Sequence, residues 1–180
     1  MGKRFSELSA EHQAFIARQP IFFVATALPE GRINLSPKGY DSLRVLGPDR
    51  LVWLNLTGSG NETAVHLEGD GRITLMWCAF EGPPLILRVY GRGRARPVDD
   101  PAAAELVALF PDQPGRRQVV EVTVELVQSS CGFAVPEMEL KGERPTLRKW
   151  AEAKGDAGVR AYWREKNAVS LDGLPTGLAD

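Results

Sequence analysis

The hydrophobic and polar residues of this chain alternate in short runs, which is the pattern of β-strands that bury one face. In residues 118–129, apolar side chains occupy every second position from Val120 to Leu126, and polar side chains fall between them. Six further runs are bounded by turns rich in proline and glycine, at 21–28, 33–38, 42–46, 51–56, 72–80 and 85–97. Strands joined by such tight turns favour a closed or partly closed antiparallel barrel over a parallel sheet.

Helical patterns are short and fall at the ends and corners of the predicted sheet. Capping and proline signals delimit helices at 9–19 and 100–110, and Gly155 separates two more at 145–153 and 156–167. The last dozen residues predict an extended tail. The predicted fold is therefore mostly β, with short flanking helices.

A glycine-rich loop follows the most apolar strand, residues 51–56. The loop reads Thr57-Gly58-Ser59-Gly60-Asn61, and Ser59 and Glu62 have the spacing of a capping box at the start of a short helix. Free amides and the helix dipole at such a turn favour an anion, usually a phosphate. The loop fits neither the Walker A motif nor the dinucleotide fingerprint. An ordinary capped strand-to-helix connection therefore remains the alternative interpretation.

Composition and charge exclude several classes of function. The chain has 180 residues and a net charge of −1, which predicts no strong attraction to nucleic acid or to a membrane surface. Two cysteines and two histidines suggest neither a disulfide framework nor a metal site. No apolar run is long enough to span a bilayer, and the start is polar. We expect a soluble cytoplasmic protein.

Two further strands carry candidate binding residues. The second strand of the first hairpin contains Asn34-Leu35-Ser36-Pro37-Lys38-Gly39, and its polar side chains point to one face. Ser36 and Lys38 could bind a ligand or form a solvated face. On a later strand Arg88 and three more arginines share a face with Tyr90, which favours either an anionic ligand or a solvated outer face.

In this order and spacing, the three segments 34–39, 57–63 and 88–93 resemble those of the pyridoxamine 5'-phosphate oxidase-like flavoproteins, the FMN-binding split-barrel group. The resemblance covers about Pro20 to Pro97. The segment Cys131 to Pro136 and the tail from Lys166 to Pro175 resemble one subgroup. The family resemblance implies a split-barrel domain over residues 1–136. A C-terminal helical extension and tail, residues 137–180, would pack on the same domain.

The resemblance implies a homodimer with FMN in a groove between the subunits. The flavin ring would lie along the 34–39 strand, the phosphate in the 57–63 loop, and Trp77, Cys78 and Arg88 near the ring or its ribityl chain. The cofactor-binding residues implied in this way are Asn34, Ser36, Pro37, Lys38, Gly39, Thr57, Gly58, Ser59, Gly60, Asn61, Thr63, Trp77 and Arg88. The activity implied is FMN-dependent oxidation or reduction of a small substrate, with a nicotinamide as a possible donor.

The sequence departs from the oxidase at two places. Asn61-Glu62 stands where the oxidase has an Arg-Lys pair, so amides, hydroxyls and either Lys38 or Arg88 must meet the phosphate charge. The oxidase's C-terminal arginine motif is not evident, and oxidation of pyridoxamine phosphate itself is not expected. A sensor or carrier that binds flavin or haem without turnover, and a non-flavin interaction module on the same barrel, are the alternatives. No catalytic residue can be assigned from the sequence, and the sequence does not distinguish FMN from a deazaflavin as the cofactor.

Overall fold

The computed structural model describes residues 2–178, which form one sheet and four helices. The strands are β1 (Lys3–Phe5), β2 (Phe22–Thr26), β3 (Asn34–Lys38), β4 (Leu43–Gly47), β5 (Arg50–Leu56), β6 (Arg72–Cys78), β7 (Ile86–Pro97) and β8 (Arg116–Ser130). The helices are α1 (Ala10–Ala17), α2 (Glu62–Gly69), α3 (Ala104–Val107) and α4 (Thr146–Lys166), with a 3₁₀ turn at Pro101–Ala103 before α3.

The strands pair in the order β3-β2-β6-β7-β8-β5-β4, and β1 adds to the far end of β8. Every pairing is antiparallel. The two end strands, β3 and β4, are neighbours in the chain but are not hydrogen-bonded to each other. The mostly antiparallel β fold of a split barrel is therefore confirmed, and the sheet is open rather than closed.

The alternating pattern of the sequence builds the core directly. Leu51 and Trp53 of β5 face Val120 and Val122 of β8, and all four are fully buried. The intervening side chains of β5 pack on the other face of the sheet, against the α3 region and Phe110. Because β5 is buried on both faces, it reads in the sequence as a continuous apolar run.

The opening of the sheet has a specific cause in the pairing of β4 with β5. The pairing reaches only Leu43 opposite Trp53, with one more backbone bond from the Leu54 amide to Ser42. The last residues of β5, Asn55 and Leu56, therefore extend beyond β4 and leave a gap toward β3. Residues 39–42 cross this gap.

The predicted elements agree with the structure except at a few places. The short strand β1 has no clear pattern and was not predicted. The helix predicted at 100–110 is a 3₁₀ turn followed by the short α3. The helices predicted at 145–153 and 156–167 form α4, which has non-helical backbone at Gly155. The predicted tail is instead a small hairpin, in which Val169 pairs with Pro175. None of the described helices is long and apolar enough to cross a membrane.

Candidate functional site

A cleft of about 340 Å³ lies in the gap between β3, the end of β5 and the glycine loop. We call it the β3–β5 cleft. Its lining is formed by Asn34, Leu35, Ser36, Pro37, Lys38, Asn55, Leu56, Gly58, Ser59, Gly60, Asn61, Glu62, Thr63 and Arg117. The structure thus brings together the two segments, 34–38 and 58–63, that the sequence proposes as parts of one binding site.

Two cationic side chains meet at the cleft, and neither has an acidic partner within residues 2–178. Lys38 Nζ donates to Asn55 Oδ1 at 3.2 Å, across the opening of the sheet. Burial, followed by repulsion from Arg117, lowers the pKa of Lys38 from 10.5 to about 8. Burial also lowers the pKa of Arg117 to about 10. Buried cations are normally paired, so this arrangement favours an anionic ligand.

Several polar atoms at the cleft lack a partner in the described part of the chain. They are Ser36 Oγ, both side-chain amide atoms of Asn61, and Arg117 Nε, and all are buried. Asn61 is only 2% exposed. The backbone amides from Gly58 to Thr63 also donate no hydrogen bond to another described residue. Since buried polar groups are nearly always satisfied, the four buried side-chain atoms indicate where a polar ligand would bind. The amides of Gly58 and Ser59 lie in the exposed part of the loop, where a ligand can reach them.

The start of α2 differs from the predicted capping box. The helix begins at Glu62 with Asn61 as its N-cap, and no side chain in the described range caps it. Ser59 is exposed in the loop and is not the cap, which corrects the prediction. Glu62 Oε1 instead accepts a hydrogen bond from the Leu171 amide at 3.0 Å. The first-turn amides of α2 are therefore left for a ligand.

A buried polar network supports one wall of the cleft. Asn34 Nδ2 donates to Thr63 Oγ1 at 3.1 Å and to Thr26 Oγ1 at 3.3 Å. His66 Nδ1 lies 3.0 Å from Thr26 Oγ1, and His66 is 3% exposed. The network joins β3 to α2, so it holds the β2–β3 hairpin next to the glycine loop.

Four of the predicted residues lie outside the lining of the cleft. Thr57 is buried beneath the loop, where its hydroxyl donates to Gly115 O at 2.9 Å and accepts from Trp163 Nε1 at 2.9 Å. Gly39 follows the end of β3. Trp77 is 1% exposed and stacks on Phe22 in the core, so its ring does not edge this cleft.

Arg88 is the fourth, and it lies on the outer face of β7. Its Nη1 donates to Ser130 Oγ at 3.3 Å. Cys78, expected beside it, lies on the same outer face, and burial raises the pKa of its thiol. The second cation at the cleft is therefore Arg117 and not Arg88.

Sequence reasoning missed three polar residues around the cleft: Asn55, Arg117 and Asn167. Arg117 Nη1 donates to Gly60 O at 3.0 Å and to Asn167 Oδ1 at 2.9 Å. Asn55 Nδ2 donates to Gln118 Oε1 at 3.3 Å. A signal existed for Asn55, which is the one polar residue between Leu51 and Leu56 in a strand that is otherwise apolar and buried. Arg117 stands between Arg116 and Gln118, so its neighbours do not distinguish it. Asn167 follows a helix, and no local pattern marks it.

Known proteins are similar to this chain over most of its length. The profile of the family described as pyridoxamine 5'-phosphate oxidase matches residues 8–131. A pyridoxamine 5'-phosphate oxidase family protein of Aspergillus flavus, ustO, is 37% identical to this chain, with 95% of this chain and 76% of the relative covered.

Solved structures share the fold at lower identity. A single-residue variant of HupZ of Group A Streptococcus superposes with a TM-score of 0.55 and 21% identity over 68% of this chain and 99% of that protein. A Clostridium acetobutylicum protein of the pyridoxinephosphate oxidase family, related to general stress protein 26, gives a TM-score of 0.53 and 15% identity, over 67% and 86% of the two chains. With the profile covering most of the sheet and the fungal relative covering nearly the whole chain, this protein belongs to the pyridoxamine 5'-phosphate oxidase family.

Proposed function

We propose that the β3–β5 cleft binds the phosphate end of FMN and that the protein is an FMN-dependent oxidoreductase. The observation that carries this proposal is the pair of cations at the cleft, the half-buried Lys38 and the buried Arg117, which form no ion pair with a carboxylate of residues 2–178. Anions bind where preorganised amides and positive charge converge, and the amides of residues 58–63 lie at the same place.

The residues present fit a phosphate with an adjoining polar chain. The guanidinium of Arg117 and the ammonium of Lys38 supply charge, Asn61 and Ser36 supply unpartnered polar atoms, and the amides of residues 58–63 supply donors. The exposed backbone and side chain of Leu35 then offer an apolar wall to the ring, since Leu35 is 66% exposed. When bound, FMN supplies the electron-transfer chemistry, and the protein's part is to position and tune it.

The proposed cofactor predicts a direct binding result. FMN added to purified protein should perturb the visible flavin spectrum and raise the melting temperature, because a ligand at 100 times its dissociation constant adds about 2.7 kcal/mol. Arg117→Met should weaken FMN binding by about tenfold or more and leave riboflavin binding nearly unchanged, because a charge-assisted hydrogen bond contributes about 1.5–3 kcal/mol. Arg116→Met is the matched control, since Arg116 pairs with Asp112 away from the cleft. Equal loss in both variants would contradict the proposal.

Turnover is tested separately from binding. The described lining of the cleft contains no histidine, cysteine or tyrosine, which favours a carrier or sensor as the second candidate. Anaerobic reduction of the bound flavin by NADH or NADPH supports the oxidoreductase, whereas a bound flavin that neither donor reduces supports the carrier. A haem carrier is disfavoured, because His12 and His66 are both buried and neither lines the β3–β5 cleft.

We also propose that two copies assemble through the outer face of the sheet. Two cross-strand rows lie opposite the core, and each side chain in them is half-buried or exposed. The rows are Leu35, Ala25, Thr74, Tyr90 and Leu126, and Pro37, Phe23, Met76, Arg88 and Gln128. Leu35 and Pro37 belong both to this face and to the cleft. A second copy seated here would therefore close the cleft, as expected for a flavin between subunits.

The compartment follows as part of the same proposal. Cys78 and Cys131 are both free thiols. Free thiols suit a reducing compartment, and we assign the protein to the cytoplasm. A secreted, oxidised form in which these thiols are blocked would contradict this assignment.

A further inference from the structure

The segment that follows α4 is an ordered strap rather than a loose tail. We use the term C-terminal strap for residues 167–176. Its two arms are joined by backbone bonds from the Ser170 amide to Leu174 O at 2.8 Å and from the Thr176 amide to Ala168 O at 3.0 Å. The strap is therefore a defined structural element that can hold other groups in place.

The first residue of the strap, Asn167, is completely buried between Arg117 and the glycine loop. Its Oδ1 accepts from Arg117 Nη1 at 2.9 Å, and its Nδ2 donates to Gly58 O at 3.2 Å. The same Arg117 nitrogen also donates to Gly60 O at 3.0 Å. Asn167 thus fixes the guanidinium and the loop with respect to each other.

The chemistry of Asn167 matters as much as its position. An amide oxygen accepts a hydrogen bond from a guanidinium but carries no charge, so the positive charge of Arg117 stays available. A carboxylate of the same shape would form an ion pair with Arg117 and would repel a second anion nearby. Arg117 Nε, buried and without a partner among the described residues, is the atom left for a ligand.

Two more contacts connect the strap to the cleft. The Leu171 amide of the strap donates a hydrogen bond to Glu62 Oε1 at 3.0 Å. Glu62 itself lines the cleft. Asp172 forms an ion pair with Arg32 in the turn before β3. The strap therefore contacts the glycine loop, the start of α2 and the hairpin, which are the parts that surround the cleft.

We propose that Asn167 is a positioning residue that orients Arg117 toward an anionic group in the β3–β5 cleft, and that it thereby sets the preference for a phosphorylated over an unphosphorylated flavin. This inference rests on the proposed function for the identity of the ligand. A purely structural role for Asn167, as the C-cap of α4, makes a different prediction. It predicts that Asn167→Asp, which loses the donor to Gly58 O, lowers the melting temperature but leaves the ratio of FMN to riboflavin affinity unchanged.

The test compares Asn167→Asp and Asn167→Ala with wild type in the full chain. Gln113→Glu is the matched control, because it makes the same amide-to-acid change in a different cleft, away from the glycine loop. The dissociation constants of FMN and riboflavin are measured by flavin fluorescence, and melting temperatures are measured with and without inorganic phosphate. Asn167→Asp should lose about tenfold or more in FMN affinity while riboflavin affinity changes by less than about twofold. Asn167→Ala should show a smaller loss of the same selectivity.

The outcomes separate this inference from the proposed function. An Asn167→Asp variant that keeps the wild-type ratio of FMN to riboflavin affinity overturns the inference, even if FMN binds well. If inorganic phosphate stabilises the wild type but FMN does not, the proposed cofactor is wrong. In that case, the inference is still supported if inorganic phosphate no longer raises the melting temperature of Asn167→Asp. If Asn167→Asp does not fold, unchanged selectivity in Asn167→Ala overturns the inference.

Discussion

Replacing Lys38 by methionine should stabilise the ligand-free protein while weakening its ligand binding. Lys38 is half-buried at the cleft that Arg117 also lines, and its one hydrogen bond to a described residue is to Asn55 Oδ1 at 3.2 Å. Methionine keeps most of the length and apolar contact of the side chain but removes the charge. The substitution therefore relieves the repulsion that a bound anion would otherwise neutralise.

The magnitude follows from the pKa of Lys38. A fall from 10.5 to about 8 corresponds to a penalty of about 3 kcal/mol at neutral pH, since each pH unit is about 1.4 kcal/mol. Loss of the hydrogen bond to Asn55 offsets about 1–2 kcal/mol of this gain. We expect a net stabilisation of about 1–2 kcal/mol, or a rise in melting temperature of about 2–8 °C for a chain of this size.

The sign of the pH dependence provides a second check. Between pH 8 and pH 10.5 the unfolded chain holds a proton on Lys38 that the folded chain has released, so wild-type stability should rise with pH in this window. The advantage of Lys38→Met should be full below pH 8 and should vanish toward pH 10.5.

The assay is urea unfolding of ligand-free wild type, Lys38→Met and the exposed control Lys149→Met, at about pH 7 and about pH 9.5. FMN affinity is measured in parallel, and it should fall by about tenfold or more in Lys38→Met. A Lys38→Met protein that is less stable than wild type at neutral pH, or whose difference from wild type does not change with pH, would refute the reasoning.

Three further predictions concern the loop, the outer face and the support beneath the loop. Gly60→Val should reduce FMN affinity by about tenfold or more with little loss of stability, because a Cβ there meets only the flexible Glu62 side chain, at 3.3 Å; titration and thermal melting check both parts. Leu35→Glu should shift the protein from dimer to monomer in sedimentation velocity, whereas Leu109→Glu, another exposed leucine, should leave the assembly unchanged. Trp163→Phe should lower the free energy of unfolding by about 1 kcal/mol or more, because the Thr57 hydroxyl loses its buried indole donor; unchanged stability in urea would count against this role.

The parts of the site that are contiguous in the sequence could be predicted, and the parts that depend on pairing could not. The segment 34–39 shows its polar face by alternation, and the loop at 57–61 shows its glycines directly. Arg117 reaches the loop because β8 pairs with β5, where Leu56 lies opposite Arg116. No local pattern specifies that register, so the cation that the loop lacks could not be located from the sequence.

Alternation also explains the misplaced aromatic residue. Trp77 lies opposite Leu87 and points to the core, whereas its neighbours Met76 and Cys78 point to the outer face. The resemblance named the position of Trp77 but did not fix the direction of its side chain. The strands themselves were predictable, because each of the seven longer ones carries either alternation or a continuous apolar run.

The connection between β3 and β4 has a consequence for how wide the sheet can open. Residues 39–42 cross the opening, and Tyr40 and Asp41 lie in left-handed backbone with φ of 62° and 49°. Aspartate adopts this conformation more readily than most residues, whereas tyrosine does so rarely, so Tyr40 carries most of the backbone strain of the turn. Because only these four residues join the two edge strands, they limit how far β3 and β4 can separate, and the chain itself sets the largest width of the opening.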